Sequence, residues 1–265
     1  MNSIAAYIDR LNRNNRKALS VFLTAGYPHA NDFVGLALDV LEKGADMLEI
    51  GIPFSDPIAD GPVIQYASQK ALASGITIDR IFSYVEDIRK FSDKPVILMG
   101  YANPILHYGI EPFLRASRNS GVNGVIVPDI PLEEYASFWG PSPDHIEIIQ
   151  LTTPTSPEAR IRAIDQRSRG FVYCVSVAGT TGVKNKFDEY TMAHVKRTYR
   201  LLKKNKMLIG FGISGAKDVE RFATCCDGVI VGSAVLKCLE NGRDEREFSS
   251  ALNLVSELSR ACQLT

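Results

Sequence analysis

Two carboxylates stand where their neighbours give them little solvent. Glu49 interrupts the apolar run MLEIGIPF, and Asp60 follows eleven residues later in a stretch fixed by Pro53, Pro57, Gly61 and Pro62. An acid among Leu, Ile, Met and Phe is desolvated, which raises its pKa towards neutrality. Such a group can hold a proton at pH 7 and release it within one turnover. It can equally be a structural acid, satisfied by an ion pair or a loop cap. Asp60 lies in a Gly/Pro-fixed loop and reads as the wetter of the two, so it is expected to stay ionised. Asp56, beside Ser55, reads as a turn residue. Two acids in unlike environments suit a division of labour between proton donor and proton acceptor.

A second set of residues suits an anion. GFGISGA (210–216) and GSAVLKCLE (232–240) place Gly210, Gly212, Gly215 and Gly232 where backbone N–H groups can approach a charged ligand closely. Gly232 and Ser233 open a short helical segment, whose first N–H groups form a phosphate cradle. The segment AGTTGVKNK, with Gly179 and Gly182, has the small, polar composition of a lid. Other chemistries fit less well. An imine-forming aldolase needs an interior lysine, whereas Lys94 and Lys206 fall just before apolar runs. Metal-dependent aldolases and hydrolases want clustered His ligands, and His29, His107, His145 and His194 are scattered. Ser233 lacks the GxSxG setting of a nucleophile elbow. What remains is metal-free acid/base chemistry on a phosphorylated molecule.

Eight apolar runs must position these residues: 19–25, 46–51, 95–101, 124–129, 146–151, 171–177, 207–212 and 228–232. Most lack clean alternation, as strands buried on both faces do. Helical spacing lies between them. Phe33, Leu36, Ala37, Val40 and Leu41 make one stripe that stops at Gly44, and Ile81, Phe82, Val85 and Ile88 make another that starts at the cap Thr77. The segments SPEARIRAIDQR, KFDEYTMAHVKRTYRLLKKN, SGAKDVERFA and EREFSSALNLVSELSR behave similarly. Repeated strand–helix units require parallel strands and close into a (β/α)8 barrel over residues 1–265, a single domain. A doubly wound open sheet is the alternative, but the first turn, TAGYPHA, has no GxGxxG. Ile4, Tyr7, Ile8 and Leu11 form a stripe that predicts a short leading helix over the barrel's bottom. In a barrel the working face lies at the C-terminal strand ends, which is where Glu49 falls.

Composition bounds the class. The 265 residues carry thirty basic and thirty acidic side chains, so no bulk charge points to nucleic acid or an anionic membrane. No run approaches a membrane span, and the N-terminus has no signal-peptide pattern. Five cysteines without paired CxxC motifs read as reduced thiols, which places the protein in the cytoplasm.

Taken with their positions, these motifs resemble the alpha subunit of tryptophan synthase. LEIGIPFSDPIADGPVIQ carries the resemblance most strongly. FLTAGYP, MGYANPI, VPDIPLEE, YCVSVAGTTGV, GFGIS and VGSAVL extend it over essentially the whole chain. The resemblance implies a lyase that cleaves indole-3-glycerol phosphate to indole and D-glyceraldehyde 3-phosphate. It implies that Glu49 is the catalytic acid/base, Asp60 the second catalytic acid and Tyr173 a supporting active-site group. It puts phosphate on Gly182, Gly212, Gly232 and Ser233, and gives Thr181 the role of the lid threonine that meets the second acid. Phe22, Phe211 and Met99 would sandwich the indole, though strand aromatics also serve as plain core. The chain itself would carry no cofactor. It would work with a pyridoxal-phosphate-dependent beta subunit in an allosteric alpha2beta2 heterotetramer, docked through Pro53–Asp60 and Asn103–His107. Val177 and Ala178 depart from the more polar pair of some members. The alternatives are a largely non-catalytic activator of the beta subunit and another phosphate-binding barrel lyase or isomerase.

Overall fold

A computed structural model describes residues 3–140, 145–176, 189–210, 212–240 and 248–263. Eight parallel strands close into a barrel in sequence order, each paired with its neighbours and the eighth with the first. The strands are β1 (Ala18–Thr24), β2 (Met47–Gly51), β3 (Val96–Met99) and β4 (Gly124–Ile126), then β5 (Glu147–Thr152), β6 (Phe171–Val175), β7 (Lys206–Gly210) and β8 (Gly228–Val231). All eight predicted runs are strands, trimmed by a residue or more at most ends.

Around them run α1 (Ile4–Arg13), α2 (Phe33–Glu42), α3 (Pro62–Ala73) and α4 (Ile78–Arg89), followed by α5 (Ala102–Tyr108), α6 (Ile110–Ser120) and α7 (Tyr135–Trp139). The remainder are α8 (Glu158–Arg167), α9 (Glu189–Leu201), α10 (Ala216–Phe222), α11 (Ser233–Glu240) and α12 (Ser249–Ala261). Thr77 caps α4 by accepting a hydrogen bond from Arg80 N at 3.2 Å, as its position predicts. Past the end of α2, Gly44 turns the chain at φ 109°. The leading helix α1 plugs the bottom of the barrel with Ile4 and Ile8, and its first N–H donates to Glu147 Oε2 at 2.8 Å.

Four helices, α3, α5, α6 and α7, fall in segments where no helical pattern was noted in the sequence. The face that α3 buries consists of Ala67, Ser68 and Ala71, residues too small to make an apolar stripe. A carboxylate from a distant segment, Asp129, caps α5 at Ala102 N (3.0 Å).

The barrel's lower rim is stitched by a repeated device. Asp46, immediately before β2, donates its N–H to Leu19 O at 2.8 Å and accepts from Leu19 N through Oδ2 at 2.9 Å. Asn123, ahead of β4, forms the same reciprocal pair with Val96 (2.8 and 2.9 Å), and Asp227, ahead of β8, does so with Met207 (2.8 and 2.8 Å). Before β6, Ser168 Oγ takes the N–H of Gln150 at 3.0 Å. Each odd-numbered strand thus has an N–H satisfied by a side chain that precedes the next strand, at the strand's start in β1, β3 and β7 and midway along β5. An unpaired buried backbone donor costs as much as a lost hydrogen bond.

At Asp46 the device is reinforced. Arg16 Nη2 lies 3.1 Å from Asp46 Oδ2 and also donates to Gly44 O and Ser259 Oγ, tying β1, β2 and α12 together. Removing one partner of a largely buried pair costs far more than an exposed pair is worth. Asp46→Ala should therefore lower unfolding stability by about 3 kcal/mol in urea titrations, and Asp46→Asn, which can still accept from Leu19 N, by less.

Candidate active site

Strand alternation decides which side chains enter the barrel. Register pairs Phe22 of β1 with Glu49 of β2, and Glu49 with Ile97 of β3, so these three share a face with Ser20, Gly51 and Met99. The same face carries Tyr173 on β6, paired with Leu208 on β7. That face is the interior. Glu49 is completely buried there, at 0% exposure.

Burial pushes the Glu49 carboxyl up to about 8, opposed only by a hydrogen bond from Ser20 Oγ to Oε1 at 2.8 Å. Its other oxygen, Oε2, is buried and has no hydrogen-bond partner. Among the described residues no cation satisfies this acid, and the ion-pair alternative raised by its sequence setting is not the one adopted there. At neutral pH the group is mainly protonated, which removes most of the cost of burying it.

Asp60 departs from the expectation that it is the wetter acid. Only 8% of it is exposed, and desolvation raises its carboxyl to about 6, partly offset by a hydrogen bond with Tyr101. The cover comes from the loop after β3. There the Tyr101 hydroxyl also accepts from Ala59 N at 3.0 Å, and its ring packs on Phe54 with centroids 5.5 Å apart. Asp60 nevertheless titrates below Glu49, so the predicted order of the two acids holds although its cause differs. One carboxyl is fully enclosed with a single hydroxyl donor, and the other is less enclosed beside a phenol.

Tyr173 is buried beside this pair. Its pKa is pushed well up by burial and then by the charges of Glu49 and Asp60, which places it within electrostatic reach of both. Room for its ring comes from Gly210 on β7, where any Cβ would overlap the phenolic oxygen. Gly51 does the same for Phe22, because a Cβ there would overlap the ring.

A cavity opens above Glu49, lined by Phe22, Thr24, Gly51, Asp60, Met99 and Tyr101 among others. Gly51 is the next inward position on β2, so Glu49 lies one step beneath the cavity floor. The structure therefore gathers Phe22, Met99 and Asp60 around one mouth, with Glu49 and Tyr173 deeper in the barrel.

The predicted phosphate residues that are described lie after β7 and β8. Gly212 has φ 93°, and Ser233 is the first residue of α11. A Cβ on Gly232 would come within 3.2 Å of Phe22 Cβ, so the cradle adjoins the aromatic side of the mouth. Thr181, Gly182 and Phe211 lie outside the described residues, as do Val177 and Ala178.

Two polar groups of the site were not singled out in the sequence. Ser20 sits in the apolar run LSVFLTA, and its signal is a hydroxyl at the inward position two residues before Phe22. Tyr101, in MGYANPI, gives no such signal, because its contact with Asp60 bridges two loops. Among the histidines, His194 is buried on α9 against Cys174, with Nε2 and Sγ 3.7 Å apart, and desolvation lowers it to about 4. It is part of the packing behind β6 rather than of the mouth.

The family model described as "Tryptophan synthase alpha chain" matches residues 8–263. The tryptophan synthase alpha chain of Geobacter sulfurreducens is 41% identical over 259 residues, covering 95% of this chain and 98% of that one. That of Flavobacterium psychrophilum is 40% identical over 257 residues, covering 95% and 100%. Among solved structures, tryptophan synthase of Mycobacterium tuberculosis superposes with a TM-score of 0.88 at 31% identity, covering 100% of both chains. The alpha chain of Legionella pneumophila gives 0.82 at 34% identity, covering 99% and 97%. Likeness of this extent, in sequence and in barrel alike, runs through every element that carries the two acids, and the chain belongs to the tryptophan synthase alpha chain family.

Proposed function

We propose that this chain cleaves indole-3-glycerol phosphate to indole and D-glyceraldehyde 3-phosphate by a metal-free retro-aldol reaction. The observation that carries the reading is the pair of enclosed acids with separated titrations, Glu49 at about 8 and Asp60 at about 6. Between those values the dominant form has Glu49 protonated and Asp60 ionised, which is the form the reaction needs.

Glu49 gives its proton to C3 of the indole while Asp60 takes the proton of the ring N–H, forming the indolenine. The Glu49 carboxylate then removes the proton from the hydroxyl on the adjoining glycerol carbon. That carbon becomes the aldehyde, the C–C bond breaks, and its electron pair returns to the ring. The ring nitrogen regains its proton from Asp60, so both acids finish as they began. Tyr173 supports the pair from β6. Phe22 and Met99 flank the indole together with Phe211, and Gly182, Gly212, Gly232 and Ser233 hold the phosphate, with Thr181 on the lid. The proximity of Gly232 to Phe22 supports a substrate that spans an aromatic end and an anionic end.

The family also supports a partner, the pyridoxal-phosphate-dependent beta subunit, in an alpha2beta2 assembly. This chain would then need no cofactor of its own. Ile58, exposed in the loop after β2, and Leu106, exposed on α5 after β3, offer apolar docking surface for that partner.

Four outcomes test the reading. Purified chain given indole-3-glycerol phosphate should release glyceraldehyde 3-phosphate slowly, and faster with a beta subunit, followed by a coupled dehydrogenase. No release in either condition would remove the lyase reading. The pH profile of kcat/KM should be bell-shaped, rising near pH 6 as Asp60 ionises and falling near pH 8 as Glu49 loses its proton. In the same assay Glu49→Gln should reduce kcat by about 10³-fold or more while the barrel stays folded. Gly232→Asp should raise KM by about tenfold, a cost of ~1.4 kcal/mol, and the control Gly232→Ala by much less, since only the former sets a carboxylate against the phosphate.

A further inference from the structure

We infer that Ser20 is a positioning residue for Glu49: its hydroxyl pins one carboxylate oxygen so that the other is left for the substrate. The inference rests on Glu49 being the acid/base proposed above. Ser20 and Glu49 are both completely buried, and Ser20 Oγ donates to Glu49 Oε1 at 2.8 Å from the adjoining strand. A buried carboxyl left with one oxygen unpartnered is costly unless that oxygen has a task. Glu49 Oε2 is such an atom.

Among the described residues the surroundings assign the role to Ser20 and to no other side chain. Around Glu49 the interior faces of β1, β3, β4, β5, β7 and β8 present Phe22, Ile97, Ile126, Ile149, Leu208 and Ile230, none of which can hydrogen-bond. The titratable group that feels the Glu49 charge is Tyr173 from β6, which also feels Asp60 from the loop after β2. Neither donates to Glu49 Oε2. A serine on an otherwise apolar interior ring has a small hydroxyl on a short tether, with little rotational freedom against a packed wall. It therefore fixes the carboxyl plane as well as donating to it.

Donation to a carboxylate favours the ionised form. Ser20 thus opposes the desolvation that raises Glu49, and keeps its proton releasable at the pH where the enzyme works. Without it, the acid holds its proton more firmly and gives it up to indole C3 less readily.

The test compares Ser20→Ala, Ser20→Thr and Glu49→Gln in the complete chain with its beta subunit. Ser20→Ala should move the basic limb of the kcat/KM profile up by about one pH unit and lower kcat several-fold, with KM little changed. Ser20→Thr keeps the hydroxyl and should return the limb towards wild type. The titration of the Glu49 carboxyl carbon by 13C NMR, assigned by its loss in Glu49→Gln, should shift upward in Ser20→Ala by the same amount. An unmoved limb and titration in Ser20→Ala would overturn the inference, as would equal shifts in the Ala and Thr variants, which would mark a packing effect. Near wild-type turnover by Glu49→Gln would instead overturn the acid/base reading itself, so the two failures are distinguishable.

Discussion

Enclosing a carboxyl inside a sealed barrel is the constraint on which the rest of this structure depends. In water Glu49 would be ionised at neutral pH and useless as an acid. Removing its water costs the charged form so heavily that the proton stays on near pH 8. That works only if the wall around it is continuous, since one water-filled gap would restore the ordinary titration. Eight closed strands supply such a wall, and their C-terminal ends leave room for a substrate above it. The lower end has to be shut as well. Helix α1 does this with Ile4 and Ile8, held by Glu147, while the side chains of Asp46, Asn123, Ser168 and Asp227 satisfy backbone N–H groups of the odd-numbered strands.

The lower rim and the upper mouth use polar groups in opposite ways. At the rim every acid or amide of the repeated device has its backbone partner, so polarity there stabilises the fold. Just beneath the mouth Glu49 keeps a buried oxygen without one. A lyase acting in tryptophan biosynthesis needs both: a scaffold whose hydrogen bonds are complete, and a site whose hydrogen bonds are completed by what it binds.

The barrel was legible because its strands are buried on both faces and so write themselves as apolar runs, and because Glu49 breaks one of them. The striped helix α2 and the capped, striped helix α4 were legible for the same local reasons. What was not legible depends on distant chain. The stop of small residues on α3, the cap that Asp129 places on α5 and the cover that Tyr101 gives Asp60 each join segments whose proximity only the closed barrel creates. Asp60 shows the limit most clearly. Its Gly/Pro-rich neighbours describe a loop, but they do not say what lies on top of that loop. The roles proposed for these residues rest on chemistry and family resemblance rather than on local pattern, and Ser20, an ordinary residue in an ordinary strand, does not stand out in the sequence.

The contacts of Gly51 with Phe22 and of Gly210 with Tyr173 carry a consequence for how such a site can change over time. In each case an aromatic ring occupies the volume that any side chain on the facing strand would fill. Neither partner can drift alone: a methyl on the glycine collides, and a smaller ring position leaves a void, each at a cost of about 1–3 kcal/mol. The two positions of a pair are therefore inherited as one unit. A lineage that reshapes this cavity for a different aromatic substrate must exchange residues across neighbouring strands together, and the path through either single exchange runs through a less stable barrel.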